Sequence, residues 1–222
     1  MQKNAFITST GTNIGKTFLT EILIKRAIKL NHRVNALKPI ISGFNINNFK
    51  ETDSGIILEA LNTSSQNIDK ISPWRFKDPL SPDIAAKNES KYIKFEDLHN
   101  FCQSHINDNK YDLTLIEGVG GVMVPINNKQ TILDLITSLD VPVILTIGSY
   151  LGSISHTLTA YEILNRYNVN ISSIVMMQSQ DNDVGCEITL KSLQNYIKKT
   201  PIIYFKRNEF NNIKVDKVLN YL

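Results

Sequence analysis

Three consecutive residues, Gly15, Lys16 and Thr17, end the stretch TSTGTNIGKT (8–17) with the groups needed to hold a phosphate. Backbone N–H groups at a helix N-terminus converge on phosphate oxygens, a lysine ammonium bridges the outer phosphates, and a hydroxyl reaches Mg2+. The standard spacing GxxxxGK[ST] would put its first glycine at position 10; Thr10 stands there and Gly11 follows. Taken alone, the stretch also reads as a Gly-Lys-Thr that merely opens a helix. Glu117 closes DLTLIEG (112–118) ahead of Gly118, Val119 and Gly120, which sets a carboxylate beside a turn able to approach phosphate closely. Lys38 in LKPIISG (37–43) offers a second ammonium for charge developing on a transferred phosphoryl group, or simply ends a strand. Asp53 in KETDSG (50–55) reads either as a second Mg2+ ligand or as a helix N-cap.

These residues need a scaffold that brings them to one edge. NAFITS (4–9), RVNALKPI (33–40), DLTLIEG, VPVILTIG (141–148), ISSIVMM (171–177) and PIIYF (201–205) are short β-branched runs, apolar on both faces, as buried parallel strands are. Between them, TFLTEILIKRAIKL (17–30) places Phe18, Ile22 and the Arg26 stem on one helical stripe, with Leu19, Leu23 and Ala27 beside it. SISHTLTAYEILNRY (153–167) and EITLKSLQNYIKK (187–199) repeat the pattern. The alternation has no Pro/Gly/Ser linker. It predicts an α/β protein in which residues 1–222 form a single doubly wound domain, a mostly parallel sheet flanked by helices, of the P-loop NTPase type. Such sheets bind ligands at the carboxyl ends of their strands, the rim on which Lys16, Lys38 and Glu117 would all lie.

With 222 residues, 42% of them hydrophobic, the chain can bury one substantial core. Its net charge of +3 arises from scattered charges without a Lys/Arg block, which argues against a nucleic-acid partner. Cys102 and Cys186 have no CxxC or Cys/His spacing, so two reduced thiols and a cytoplasmic location are expected. No leader-like segment opens the sequence and no run approaches the ~20 apolar residues of a membrane helix, so no membrane association is expected. The four histidines form no spaced cluster. Trp74 either lines a substrate channel or anchors a loop on the core, and the tail NIKVDKVLNYL (212–222) suits packing rather than a membrane surface.

The ensemble resembles one family, the dethiobiotin synthetases. The spacing Thr10, Thr12, Gly15, Lys16, Thr17 occurs with KPIISG, TDSG, SPDIAA, EGVGG and PVILTIGSYLGSISHTLTA in that family's order along most of the chain. The resemblance implies an ATP-dependent cyclo-ligase that converts 7,8-diaminononanoate, CO2 and ATP to dethiobiotin, ADP and phosphate, through a carbamate and a carbamic-phosphoric anhydride. It implies Lys16 and Lys38 as the catalytic cations and Thr17, Asp53 and Glu117 around Mg2+. Asn13, Ile14, Gly15 and Phe18 would contribute backbone to the phosphates, and Gly118, Val119 and Gly120 the facing wall. Thr12 and Ser42 would hold the diamine end. The distant carboxylate would be held across a homodimer interface by the helix start at Gly152, Ser153 and Ser155, unless that loop is only a helix capped by Ser153. The family's purine-reading Asn and its Gly-x-[Ile/Leu]-Pro turn are replaced by VMMQSQ (175–180) and YFKRNEF (204–210). Either Gln178 and the FKRNE backbone read the base differently, or base recognition is loose. A regulatory ATPase of the partitioning or cell-division-positioning type is the alternative, but Gly11 stands where that group carries a signature lysine.

Overall fold

The computed structural model describes residues 2–180, 185–207 and 211–222. The chain opens with β1 (Lys3–Ser9), α1 (Lys16–Lys29), β2 (Val34–Leu37) and β3 (Ile40–Ser42). A 3-10 turn over Ile46–Glu51 leads into α2 (Asp53–Ala60), α3 (Ile68–Ile71), β4 (Trp74–Phe76) and α4 (Pro82–Asn88). Next come α5 (Phe95–Ile106), β5 (Leu113–Glu117), α6 (Ile132–Leu139), β6 (Val143–Ile147) and α7 (Ser153–Arg166). The last are β7 (Ile171–Met177), α8 (Cys186–Tyr196), β8 (Ile202–Phe205) and α9 (Asn212–Asn220).

Among the described residues, six strands form one parallel sheet in the order β2-β5-β1-β6-β7-β8, flanked by the helices. Its central members are apolar on both faces because both faces are covered: all five residues of β5 and of β6 are buried. Because β1 lies between β5 and β6, the loop after β1 and the end of β5 are brought side by side on one rim. Phe6 and Ile7 of β1 have no exposed surface and pack with Leu19, Leu23 and Ala27 in one hydrophobic cluster.

The run RVNALKPI is not one strand. Pro39 has no N–H to give a ladder, and the chain leaves the main sheet there. Residues 40–42 instead pair in parallel with β4 in a separate two-stranded sheet, while the Lys38 N–H donates to the Ile71 carbonyl at 3.0 Å. Lys38 therefore sits at the corner between two sheets. The stripe on α1 also differs from expectation: Leu19, Ile22, Leu23, Ile24 and Ala27 are buried, whereas Phe18 is exposed at the rim of a cleft. Trp74 packs edge-on against Phe101 with ring centroids 5.6 Å apart and anchors the small sheet on α5. In the tail, Val215 and Val218 are fully buried, and Asp216 receives two hydrogen bonds from Arg26 of α1 at 2.6 and 2.7 Å. Cys102 and Cys186 are buried and are not joined in a disulfide. No helix among the described residues is long and apolar enough to cross a membrane.

Candidate active site

β1 ends at Ser9, and the chain turns through two left-handed residues, Asn13 (φ 59°) and Gly15 (φ 102°), before α1 begins. Gly15 is the N-cap of α1 and has no side chain to satisfy the first-turn N–H groups, which leaves them for an anion. A Cβ at Gly15 would be strained by that φ and would also press on Met177 at 3.1 Å. Glycine is needed here for both reasons.

Lys16 folds back under the loop, donating to Ser9 Oγ at 3.0 Å and to the Gly11 carbonyl at 3.2 Å. Thr17 Oγ1 lies 2.8 Å from Asp53 Oδ1 and 2.8 Å from Glu117 Oε1; its single hydrogen serves one of them at a time. Lys38 Nζ completes the cluster, 2.8 Å from Glu117 Oε1, 2.9 Å from Asp53 Oδ2 and 2.8 Å from the Gly118 carbonyl. The Lys38 side chain is 2% exposed and that of Glu117 is fully buried. Asp53 is not the N-cap of α2. Thr52 is, its side chain accepting from the Gly55 N–H at 3.1 Å, so the Asp53 carboxylate is left for Thr17 and Lys38.

These neighbours shift the charges. Burial pushes Lys16 down, and Lys38 nearby pushes the same way, outweighing Glu117 and Asp53; its pKa falls from 10.5 to about 8. Burial acts downward on Lys38 as well, but Glu117 and Asp53 reverse it and hold the ammonium charged well above its ordinary range. For Asp53, burial acts upward, but the Lys38 charge together with hydrogen bonds from Lys38 and Thr17 and the charge of Lys16 outweighs it, keeping the carboxyl below its ordinary value.

The cluster forms the floor of a cleft of about 960 Å³. Thr12, Asn13, Ile14, Gly15, Lys16, Thr17 and Phe18 line one side, Lys38, Ser42 and Asp53 another, and Val119 and Gly120 a third. Glu117 lies beneath Thr17, and Gly118 enters through its carbonyl on Lys38. Gly152, Ser153 and Ser155 do not line this cleft. Gly152 (φ 92°) caps α7, Ser153 makes no capping bond and its buried Oγ has no partner among the described residues, and Ser155 is exposed. The side-chain capping role open to Ser153 is therefore not taken.

Thr20 is a participant that the sequence reading missed. Fully buried, its Oγ1 lies 2.6 Å from Glu117 Oε2 and so holds one carboxylate oxygen away from the cleft, leaving Oε1 for Thr17 and Lys38. Its spacing of three from Thr17 puts both hydroxyls on one helix face, the one signal that could have found it.

A second cleft of about 880 Å³ lies across the loop, sharing Thr12, Asn13, Ile14, Gly15 and Phe18 with the first. Its far wall includes Tyr150, His156, Met177, Gln178, Ser179, Phe205 and Arg207. Asn208 and Glu209 of FKRNE lie outside the described residues.

A family model described as an AAA domain matches residues 3–206. The fold is similar to that of a ParA family ATPase from Chlorobium tepidum (TM-score 0.53, 14% identity, 99% of this chain and 90% of that one). It is equally similar to the septum site-determining protein MinD complexed with Mg-ADP from Pyrococcus horikoshii (TM-score 0.55, 14% identity, 100% and 87%). Those likenesses speak for the fold alone. Sequence relatives go further: the protein from Acidiphilium cryptum named ATP-dependent dethiobiotin synthetase BioD is 40% identical over 88% of this chain and 89% of its own length. The protein of the same name from Phenylobacterium zucineum is 42% identical over 91% and 88%, and that from Clostridium botulinum 31% identical over 83% and 82%. With that identity sustained along nearly its whole length, the chain belongs to the ATP-dependent dethiobiotin synthetase family.

Proposed function

We propose that residues 1–222 act as one unit that carboxylates 7,8-diaminononanoate with CO2 and closes the product to dethiobiotin at the expense of ATP. The observation that carries the reading is the placement of Lys38: a buried ammonium on the floor of the cleft, beside the phosphate loop and between two carboxylates. A substrate amine adds to CO2 and loses a proton, giving a carbamate. One carbamate oxygen attacks the γ-phosphorus and ADP leaves; the neighbouring amine then attacks the carbamoyl carbon, expelling phosphate and a proton and closing a cyclic urea. Every reacting partner in the second step is anionic, so the protein's main task is to place positive charge between them. Lys16 serves the β- and γ-phosphates, Lys38 the carbamate and the transferring phosphoryl group, and Thr12 and Ser42 the diamine end.

Thr17, Asp53 and Glu117 are a hydroxyl and two carboxylates, the hard oxygen donors that suit Mg2+ shared with substrate phosphates. That ion would supply further neutralisation of phosphate charge. The start of α7 around Gly152, Ser153 and Ser155 stands outside the diamine cleft of its own chain, which supports a homodimer in which a second copy holds the substrate carboxylate. Charges too scattered to track a nucleic acid fit a small-molecule enzyme, and we take its location to be cytoplasmic.

The test is phosphate release by purified protein, expected only when Mg-ATP, bicarbonate and the diamine are all present. Release that ignores the diamine but rises with DNA or lipid would overturn the proposal in favour of a regulatory ATPase.

A further inference from the structure

Lys38 belongs to neither of the strands that meet at its corner: β2 ends at Leu37 and β3 begins at Ile40. Its two peptide groups are taken up instead by the end of α3. The Lys38 N–H donates to the Ile71 carbonyl at 3.0 Å, and the Lys38 carbonyl accepts from Ser72 Oγ at 2.6 Å. Ser72 is itself anchored, its N–H donating to the Ile68 carbonyl at 2.7 Å. Ser54 Oγ lies 2.6 Å from Ser72 Oγ, and neither serine has any exposed surface.

The hydrogens in this chain have one order. A carbonyl oxygen only accepts, so the single hydroxyl hydrogen of Ser72 goes to Lys38, and the hydrogen between the two serines comes from Ser54. Ser54 stands next to Asp53 in the first turn of α2. The relay therefore ties the Lys38 backbone to the turn that carries Asp53, whose carboxylate meets the Lys38 ammonium at 2.9 Å. The two ends of that ion pair are joined a second time, through buried hydroxyls. A lysine ammonium rides on a flexible stem, so the region it can serve depends on where its Cα is held.

We propose that Ser72, oriented by Ser54, is a positioning residue: it holds the Lys38 corner at the distance from Asp53 that keeps the ammonium within reach of the reacting anions. The role rests on the proposed reaction, in which Lys38 serves the carbamate and the transferring phosphoryl group.

Steady-state kinetics with Mg-ATP, bicarbonate and the diamine, run as a double-substitution cycle with Lys38→Ala, provide the test. Ser72→Ala should lower kcat about tenfold and leave the KM for the diamine and the nucleotide dissociation constant within about twofold, because it misplaces a charge needed most in the transition state. In the Lys38→Ala background the same substitution should lower kcat by less than about twofold, since no ammonium is left to misplace. Ser54→Ala leaves the Ser72 hydrogen on the carbonyl and should lower kcat about threefold. Ser72→Cys, close to serine in shape but a weaker donor, should fall between Ser72→Ala and the unaltered protein. A merely structural role would show in thermal unfolding and would lower kcat by the same factor with or without Lys38, or not at all; either result overturns the positioning role. If Ser72→Ala does not fold, Ser72→Cys and Ser54→Ala run through the same cycle and decide by the same criterion. No turnover by the unaltered protein with all three substrates would instead overturn the reaction itself, and with it any part for Ser72 in it.

Discussion

Lys38 sits against two carboxylates and a carbonyl with almost no water around it. It neutralises Glu117 and Asp53 in the free protein, and in the proposed reaction it would deliver positive charge to the reacting anions. Lys38→Ala should lower turnover by roughly 10²–10³-fold while leaving nucleotide affinity within a fewfold, because the charge is needed most in the transition state. The same change strands the buried Glu117 carboxylate, with a cost of about 3–5 kcal/mol visible in thermal unfolding. Mg2+ should then restore more stability to the variant than it adds to the parent. Full turnover in the variant would remove Lys38 from the chemistry. Lys16 makes a different prediction. With a pKa of about 8 in the free protein, it is charged well below pH 8 and loses its proton above it. A bound polyphosphate raises that pKa, so binding takes up no proton at Lys16 well below pH 8 and approaches one proton above it. Nucleotide affinity should therefore fall with rising pH beyond about 8, by up to about tenfold per unit. Titrations in buffers of different ionisation enthalpy measure the uptake, and a proton count that stays flat across pH 8 would refute the linkage. At this scale the charged residues were legible in the sequence because Lys16, Lys38, Asp53 and Glu117 each announce chemistry by type. Thr20 was not, since a threonine inside a helix reads as filler until its partner across the core is known.

Elements deliver these residues, and α2 does so with the least slack. The Phe49 carbonyl accepts from both the N–H and the hydroxyl of Thr52, fixing the 3-10 turn against the start of α2. Gly55 passes so close that an added Cβ would lie 2.0 Å from that carbonyl oxygen, an obstacle of backbone rather than of a yielding side chain. Gly55→Ala must push the first turn of α2 away, and Asp53 moves with it. Overpacking of this kind costs about 1–3 kcal/mol, so the melting temperature should fall by roughly 2–12 °C for a chain of this size. Mg2+-dependent nucleotide affinity should fall as well; an unaltered affinity in a folded Ala variant would show that this contact does not position Asp53. The strands themselves were readable from composition: ISSIVMM is β7 residue for residue. The split of RVNALKPI at Pro39 was not read, although a proline that cannot join the ladder was its physical cause. Missing it also hid the small sheet that holds Lys38 at its corner.

For the whole molecule, the alternation of strand and helix carried the fold class, because a parallel sheet covered on both faces leaves few other ways to bury such runs. The relation between copies was expected only from the family resemblance, since no pattern within one chain says what faces the start of α7. If a second copy holds the substrate carboxylate there, each site joins Lys38 of one chain to residues 152–155 of the other, and mixing can reveal it. Ser155 is exposed at the first turn of α7, so Ser155→Asp should fold well and even favour the helix dipole while repelling the substrate carboxylate. Alone, that variant should show a raised KM for the diamine with nucleotide binding intact. Mixed after reversible dissociation with Lys38→Ala, it forms heterodimers in which one site carries both changes and the other carries neither. With equal amounts and random pairing, half the dimers are mixed and half of their sites are intact, so activity should return to about a quarter of the unaltered protein's. If both halves of each site come from one chain, no intact site can form, and the mixture stays at the mean of the two single variants.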